Sequence, residues 1–407
     1  MEKKTTKAAV PMGVIFSVAF VLFSSHAGGG FASGNQAFQN YVISGAWGPL
    51  SAILAMLLFT LTVKEAMVMY NTRKLGSYKE LFETLYHPFD KIEILFEIFF
   101  YIMVLMAVGA AIATAASTLE ATFGIQYHLA IVIVGIIILF LTIFGAGLVR
   151  KASTVMGIII LMCAITIFCI GIVYDAPEAV GTANLSEVLT NFDMSLLPNA
   201  ILRSFTYAGF QLVVLPTMIV CGMPLATKKS CGKSMWISFI LNASALTLSV
   251  IMLMKWQPVF TAVEKGTTIP TLTSINAMGI ASLNVIYSIA LLLCLISTGV
   301  TTVFGFVGRF EKLKVLSGIK NQSVRSAVVS AFIMIISMSV ALLGLTNIIK
   351  YGYGYCGYLA IAIIVIPFLT VGHMKNKKYI AEHPECECDE GAEEEEKSIK
   401  YEAEPSL

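Results

Sequence analysis

Long apolar runs dominate this chain of 407 residues. A helix that crosses the roughly 30 Å hydrocarbon core of a bilayer needs about 20 mostly apolar residues. Hydrophobic residues make up 57% of the chain and charged residues only 13%, whereas a soluble domain carries about 25% charged residues. The sequence therefore predicts an all-α integral membrane protein. We predict ten spans, at about 9–44, 48–70, 93–120, 127–149, 152–174, 199–226, 234–255, 279–308, 324–348 and 354–373.

The distribution of lysine and arginine predicts how these spans are oriented. Cytoplasmic loops carry an excess of basic residues. If the N-terminus is cytoplasmic, 20 basic residues before the C-terminal tail fall inside and only Lys255, Lys265 and Lys350 fall outside. We therefore expect a multi-pass protein of the plasma (inner) membrane with both termini in the cytoplasm. The pattern of the basic segment 71–92 predicts an amphipathic helix on the cytoplasmic surface.

Ten spans divide into two halves of five. An odd number of spans in each half gives the two halves opposite orientations in the membrane, as in an inverted-topology repeat. The predicted parts are a cytoplasmic N-terminus (1–8), a first repeat (9–174), an acidic extracellular loop (175–198), a second repeat (199–373) and an acidic, disordered cytoplasmic tail (374–407).

The first span of each half contains a helix-breaking stretch. Span 1 carries four glycines within 28–34, and each glycine costs about 1 kcal/mol in a helix interior relative to alanine. Span 6 carries Gly209, followed by Pro216 and Pro224. Interrupted spans at matching positions of two halves are the best sequence pointer to a transporter binding site. The competing interpretation of the glycines is a close helix-packing face.

This plan resembles the LeuT fold of the amino acid–polyamine–organocation superfamily. The string Phe31-Ala32-Ser33-Gly34 after three glycines is similar to a bacterial branch described as amino acid permeases. The resemblance implies that the amides of the span 1 break face a substrate carboxylate and that an aromatic residue of span 6 covers the substrate. The substrate-binding residues it implies are Gly28, Gly29, Gly30, Phe31, Phe205, Tyr207, Ala208, Gly209 and Phe210.

The same resemblance implies a sodium site between spans 1 and 8. Its ligands are the carbonyl oxygens of Ser24, Ala27 and Cys294 and the hydroxyls of Ser297 and Thr298. Serine and threonine hydroxyls also bond to the preceding helical turn, which leaves a purely structural role open. Span 5 carries no lysine in its interior, which favours sodium over the proton coupling that such a lysine supports in some members.

Three ionisable residues in or next to the spans are candidate coupling or gating groups. His26 adjoins the span 1 break, and it either carries a proton or donates to a freed carbonyl. Glu120 and Arg203 lie near the predicted outer ends of spans 3 and 6. We expect them to form or flank an extracellular gate, or Arg203 to hold an anionic substrate group; the alternative is that each only reaches the interface.

The predicted function is ion-coupled symport of an amino acid or related small amine or zwitterion by alternating access. The alternative is a transporter-like sensor subunit that binds a small solute without moving it. No enzyme is expected, because the sequence lacks His-Glu-x-x-His and Gly-x-Ser-x-Gly. The expected partners are a small solute and the lipid bilayer, not a nucleic acid, and the expected cofactors are none apart from a coupling sodium ion or proton. Cys386 and Cys388 suggest either a metal site or a solvated tail.

Overall fold

Helices form the frame of the molecule. The computed structural model describes residues 10–310, 318–319 and 321–388, so the predicted N-terminus 1–8 and residues 389–407 lie outside the described residues. Within those ranges all regular structure is helical, which confirms the predicted all-α class. Among the described residues, eight helical stretches are long and apolar enough to cross a membrane: Trp47–Thr72, Asp90–Phe123, Tyr127–Phe144, Met194–Cys221, Lys228–Thr261, Ala281–Phe304, Ser323–Ala341 and Leu345–Glu382.

Two shorter apolar helices coincide with the remaining predicted spans. Met12–His26 falls in predicted span 1 and Ile158–Val173 in predicted span 5. Span 1 is short because its chain is broken, as described below. The count of ten spans in a five-plus-five repeat stays a prediction.

Short helices make up the N-terminal span, and a long one follows. The helices α1 (Met12–His26), α2 (Gly29–Ala32) and α3 (Asn35–Asn40) lead through a 3₁₀ turn at Val42–Ser44 into α4 (Trp47–Thr72). Pro49 falls in the first turn of α4, where its missing N–H removes no intrahelical hydrogen bond.

The predicted amphipathic surface helix is present as α5 (Tyr78–Tyr86). Its N-cap is Ser77, whose hydroxyl accepts a hydrogen bond from the Glu80 amide at 3.2 Å. Phe82 on its buried face stacks on Phe96 of the next helix, α6 (Glu93–Phe123), with ring centres 3.9 Å apart. The helix is therefore fixed to the bundle through its apolar face.

Helical backbone then runs from Tyr127 to Val173. It comprises α7 (Tyr127–Phe140), a π-helical segment at Leu141–Gly145 and α8 (Ala146–Val173). Tyr127 donates to the Ala341 carbonyl at 2.8 Å and Tyr174 to the Met278 carbonyl at 3.0 Å. Both acceptors lie at the predicted outer side of the bundle, which is the placement that the prediction of two spans, 4 and 5, requires of the two ends of this stretch.

A loop region with short helices joins the two halves. It holds 3₁₀ turns at Glu178–Val180 and Met194–Leu196 and the short α9 (Leu185–Thr190). The second half consists of α10 (Leu197–Gln211), α11 (Leu215–Cys221), α12 (Lys228–Thr261), α13 (Pro270–Met278), α14 (Ala281–Phe310), α15 (Gln322–Ala341), α16 (Leu345–Asn347), α17 (Gly354–Ala360) and α18 (His373–Glu382). The last helical stretch, from α16 to α18, also contains π-helical segments at Ile348–Tyr353, Ile361–Val365 and Phe368–Gly372.

The helices enclose the broken N-terminal span. The long helix α12 packs along both α4 and α1, while α14 packs between α6 and α8. The one-turn helix α2 contacts α6 and α14. The backbone break between α1 and α2 therefore lies in the interior of the bundle, where its free polar groups meet protein rather than lipid, as membrane burial requires.

The start of the predicted disordered tail is folded. Residues 373–382 form α18 and Pro384–Cys386 form a 3₁₀ turn. Asn376 is buried, with its amide donating to the Glu65 carbonyl and carboxylate, both at 2.9 Å. The prediction of disorder from residue 374 onward is therefore wrong for 374–388, because these polar side chains bond to groups at the end of α4 and gain order that composition alone does not reveal.

Candidate functional site

The predicted break in span 1 is present at Ala27–Gly28. Gly28 is extended (φ −72°, ψ −175°) between α1 and α2, and its amide turns back to the His26 carbonyl at 2.7 Å. A second change of direction follows at Gly34, whose φ of +82° is in the left-handed region that favours glycine. The two breaks isolate α2 as a single helical turn within the bundle.

A buried network of side chains surrounds the end of α1. His26 is 1% exposed. Its Nδ1 lies 2.7 Å from Asn242 Oδ1 on α12, and its Nε2 lies 2.9 Å from the Tyr207 hydroxyl on α10. Asn242 donates through Nδ2 to the Ser238 carbonyl at 2.8 Å, which turns its oxygen toward His26 and makes Nδ1 the donor. His26 therefore joins the three predicted spans 1, 6 and 7.

The network continues to Gln36 on α3. The Tyr207 hydroxyl lies 3.1 Å and Gln211 Nε2 lies 3.3 Å from Gln36 Oε1. All three side chains are buried. The sequence analysis did not identify Gln36, Gln211 and Asn242 as site residues. Each is a polar residue inside an apolar span, which by itself indicates a functional role.

The predicted substrate-binding residues fall into two groups. Phe31 and Tyr207 both face His26, with ring centres 5.0 and 5.8 Å from the imidazole. Phe210 instead packs on Tyr353, with ring centres 5.0 Å apart, and a Cβ at Gly209 would lie 2.7 Å from the Gly357 carbonyl oxygen.

Gly209 and Phe210 therefore face the last span. Gly28, Gly29, Gly30 and Ala208 are buried or half-buried near the network helices, and Phe205 is half-buried.

The interruption in span 6 lies further along than predicted. Helix α10 continues through Gly209, the glycine that suggested a break, and a 3₁₀ segment follows at Leu212–Val214. Pro216, at the start of α11, cannot donate to the Leu212 carbonyl and its ring crowds that position. The proline, rather than Gly209, therefore determines where the helix departs from regular geometry.

Of the five predicted sodium-ligand residues, the structure shows two in contact across spans 1 and 8, Ala27 and Cys294. The Cys294 thiol donates to the Ala27 carbonyl at 3.1 Å. The Thr298 methyl group lies 3.7 Å from the Cβ position of Gly28. Ser297, one residue before Thr298 on α14, is 8% exposed, and the Ser24 hydroxyl bonds to the Val21 carbonyl within α1 at 3.1 Å. A sodium ion at this place would compete with the thiol for the Ala27 oxygen.

Glu120 and Arg203 have different partners. Glu120 pairs with Lys265 at 3.1 Å. Arg203 donates to the Gln39 carbonyl at 2.5 Å and to Asn199 Oδ1 at 3.0 Å. Arg203 thus connects span 6 to the end of span 1, while Glu120 connects span 3 to the loop before α13.

That loop covers the predicted outer side of the span 1 break. Asn35 Nδ2 lies 2.9 Å from the Thr267 carbonyl, 3.1 Å from the Thr268 carbonyl and 3.2 Å from the Thr346 hydroxyl. The Thr271 amide donates to the Ser33 carbonyl at 3.2 Å. We call these contacts the outer cover.

The predicted inner side is closed by the C-terminal segment. The Glu65 carboxylate accepts from Asn376 and lies 3.1 Å from Lys64 Nζ and 3.2 Å from His373 Nδ1. Arg73 donates to Asn376 Oδ1 at 2.8 Å and lies over the Tyr379 ring. Among the described residues no cluster of three or more histidine, cysteine or acidic side chains could hold a metal ion, and Cys386 is buried.

No protein-family model matches the sequence, and no curated protein is similar to it. Solved structures are similar in fold. MhsT in complex with L-phenylalanine matches over 90% of this chain and 89% of its own, with a TM-score of 0.61 at 14% identity. A Na⁺-coupled sialic acid symporter in a substrate-bound outward-open state matches over 91% and 93%, with a TM-score of 0.55 at 11% identity. The chain has the LeuT fold.

A third structure of the LeuT fold widens the range of substrates found on it. A manganese transporter from Eremococcus coleocola, in complex with an aromatic bis-isothiourea substituted compound, matches over 91% of this chain and 82% of its own, with a TM-score of 0.58 at 14% identity. The similar structures thus include a protein that binds phenylalanine, a sialic acid symporter and a manganese transporter. At these identities the fold is shared and the substrate is not inferred from it.

Proposed function

We propose that the protein is a secondary active transporter that carries an amino acid or a related small zwitterion by alternating access. The observation that supports this most directly is the broken α1–α2 segment buried between α6, α12 and α14. Unwound backbone in a membrane interior leaves amides and carbonyls free for a solute and an ion. The aromatic rings of Phe31 and Tyr207 beside it suit a small organic solute.

We propose sodium as the coupling ion, bound by the carbonyls of Ser24, Ala27 and Cys294 and the hydroxyls of Ser297 and Thr298. Hard oxygen ligands of this kind suit an alkali cation, and the observed contact of Cys294 with Ala27 places α14 beside the break. His26 positions the break through its bonds to Asn242 and Tyr207, and Arg203 and Glu120 act at the outer side.

Uptake by the purified protein in proteoliposomes tests the proposal. Labelled amino acids are offered under an inward sodium gradient, a pH gradient, or neither. We expect accumulation of at least one amino acid above the level in empty liposomes, and only with the sodium gradient. Accumulation with the pH gradient alone, lost in His26→Gln, would assign the coupling to a proton instead.

A double substitution tests the sodium site. In Ser297→Ala with Thr298→Ala we expect the sodium concentration for half-maximal uptake to rise about tenfold or more, because each lost oxygen contact to a charged group costs about 1.5–3 kcal/mol. The control is Ser339→Ala on α15, whose exposed hydroxyl bonds to the Ile335 carbonyl. Equal sodium dependence in the double variant and the control would remove these ligands from the proposal.

The alternative function is a sensor subunit that binds a solute without moving it. The buried network and the closed outer and inner sides fit a binding protein as well as a carrier. Amino acids that raise the thermal unfolding midpoint of the purified protein, with no accumulation in proteoliposomes, would favour the sensor over the transporter.

A further inference from the structure

Lys64 is a charged residue in the interior of α4. It lies eight residues before the end of the helix at Thr72, which is about 12 Å along the helix axis. Its side chain is 19% exposed, and its Nζ lies 3.1 Å from Glu65 Oε1. An ionisable residue inside a membrane span indicates a functional site and calls for a partner.

Glu65 satisfies only part of the Lys64 ammonium group. The ammonium carries three hydrogens, and Glu65 is its one hydrogen-bond partner in the part of the chain that the structure describes. The same carboxylate also accepts from Asn376 and lies 3.2 Å from His373 Nδ1, so α18 shares its negative charge. Because unsatisfied polar groups are costly in hydrocarbon, Lys64 has room for a further acceptor.

A residue of α12 lies at the same depth as Lys64. Asn71, near the end of α4, donates through Nδ2 to the carbonyls of Gly222 and Leu225 at 2.8 Å each, so this end of α4 is level with the start of α12. Trp236 lies eight residues after that start, which is again about 12 Å. Lys64 and Trp236 line one cleft between the two helices.

The cleft changes in character along its length. Trp236 is 50% exposed. Lys233, three residues earlier on the same face of α12, is exposed as well. Leu57 and Leu61 continue the cleft from Lys64 toward the predicted outer side. The cleft therefore has basic groups toward its predicted cytoplasmic end, an indole ring beside them and apolar side chains toward the middle of the membrane.

We propose that this cleft binds an anionic phospholipid of the cytoplasmic leaflet. Lys64 and Lys233 contact the phosphate group, Trp236 packs on the glycerol backbone, and one acyl chain lies along Leu57 and Leu61. Basic pockets between membrane helices on the cytoplasmic side suit anionic head groups, and tryptophan is enriched at the level of the head groups. A zwitterionic lipid has no net charge to pair with the two lysines. The inference does not rest on the proposed transport of a solute.

Tryptophan fluorescence tests the proposal in the reconstituted full-length protein. The bilayer contains phosphatidylglycerol and phosphatidylcholine in equal amounts, and bromine atoms on the acyl chains of one lipid or the other quench nearby tryptophans. The protein has three tryptophans, so the difference between the unsubstituted protein and Trp236→Phe isolates the signal of Trp236. We expect phosphatidylglycerol to bind there about tenfold more tightly than phosphatidylcholine, because each lysine near the site contributes about fivefold.

Removal of one lysine should reduce this preference. In Lys64→Gln we expect the preference for phosphatidylglycerol at Trp236 to fall about fivefold. The matched control is Lys91→Gln, which removes an exposed lysine of the same predicted side outside the cleft, and its preference should equal that of the unsubstituted protein. An equal fall in the two variants would indicate a general attraction of anionic lipid to basic residues and would overturn the site.

Two further outcomes would contradict the proposal. Equal quenching of Trp236 by the two brominated lipids would show that the cleft does not select an anionic head group. Relief of the quenching by millimolar inorganic phosphate would show that the two lysines bind a free anion rather than a lipid. Neither outcome bears on the transport proposal, which is tested separately by uptake.

Discussion

Single glycines decide how closely the last span approaches span 6. A Cβ on Gly357 would lie 2.5 Å from the Thr206 carbonyl oxygen, and one on Gly209 would lie 2.7 Å from the Gly357 carbonyl oxygen. Close backbone contact of this kind is how small residues hold membrane helices together. The side of α10 that bears Gly209 is therefore a packing surface, and the side that bears Tyr207 is the candidate binding surface.

We expect Gly357→Ala to destabilise the protein. Overpacking costs about 1–3 kcal/mol, which exceeds the gain of about 1 kcal/mol in helix propensity. Gly354→Ala is the matched control in the same helix, because its nearest neighbouring atom lies 4.0 Å from the added carbon. Thermal unfolding of the detergent-purified variants should show a lower midpoint for Gly357→Ala only. Equal midpoints would contradict the packing described here.

Individual residues of the site were partly predictable. Gly28 and Tyr207 could be named because tandem glycines and an aromatic near a second break follow a known plan. Gln36 and Asn242 could not be placed, since their roles depend on which way α3 turns after Gly34 and on how α12 lies against α1. Those are tertiary facts that spacing along one chain does not contain.

At the level of elements, hydrophobic runs predicted the long helices well and their interruptions less well. The break in span 1 has a strong local cause, four glycines within seven residues. The interruption in span 6 depends on Pro216 and lies a few residues beyond the glycine that suggested it. Helix α18 was missed, because its stability comes from polar contacts with α4 rather than from its own composition.

We expect Asn376→Ala to loosen α18 from the bundle. The variant removes the amide that donates to the Glu65 carbonyl and carboxylate, and a buried group left without its partner costs about 1–3 kcal/mol. Lys377→Ala is the control, since this neighbouring side chain is exposed. Hydrogen exchange of residues 373–382, followed by mass spectrometry, should be faster in Asn376→Ala. Equal exchange in the two variants would show that other contacts hold the helix.

For the molecule as a whole, the distribution of basic residues predicts the orientation of the chain in the membrane, which the helices alone do not reveal. Lys91 lies on the side where α18 meets α4, and Glu264 lies on the side of the outer cover. Both side chains are exposed, so both sites are suited to chemical labelling. The positive-inside rule places the first in the cytoplasm and the second outside.

We expect a membrane-impermeant maleimide to label Glu264→Cys in intact cells. Lys91→Cys should react only after the cells are permeabilised, because the reagent does not cross the membrane. The unsubstituted protein is the control for its own eight cysteines. The reverse pattern would place both ends of the chain outside and would invert every assignment of inner and outer sides made here.

If the protein is the proposed transporter, the outer cover has a consequence for the energetics of its cycle. Exposing the span 1 break to the outside requires the four contacts of the outer cover to open. Because the Asn35 amide has two hydrogens for its three contacts, this is about three hydrogen bonds, at about 1 kcal/mol each. The outward-open form would then be roughly one molecule in a hundred without a ligand. Moving one sodium ion through 100 mV supplies about 2.3 kcal/mol. The free energy that the membrane voltage of an energised cell supplies is therefore comparable with the free energy needed to open the outer cover.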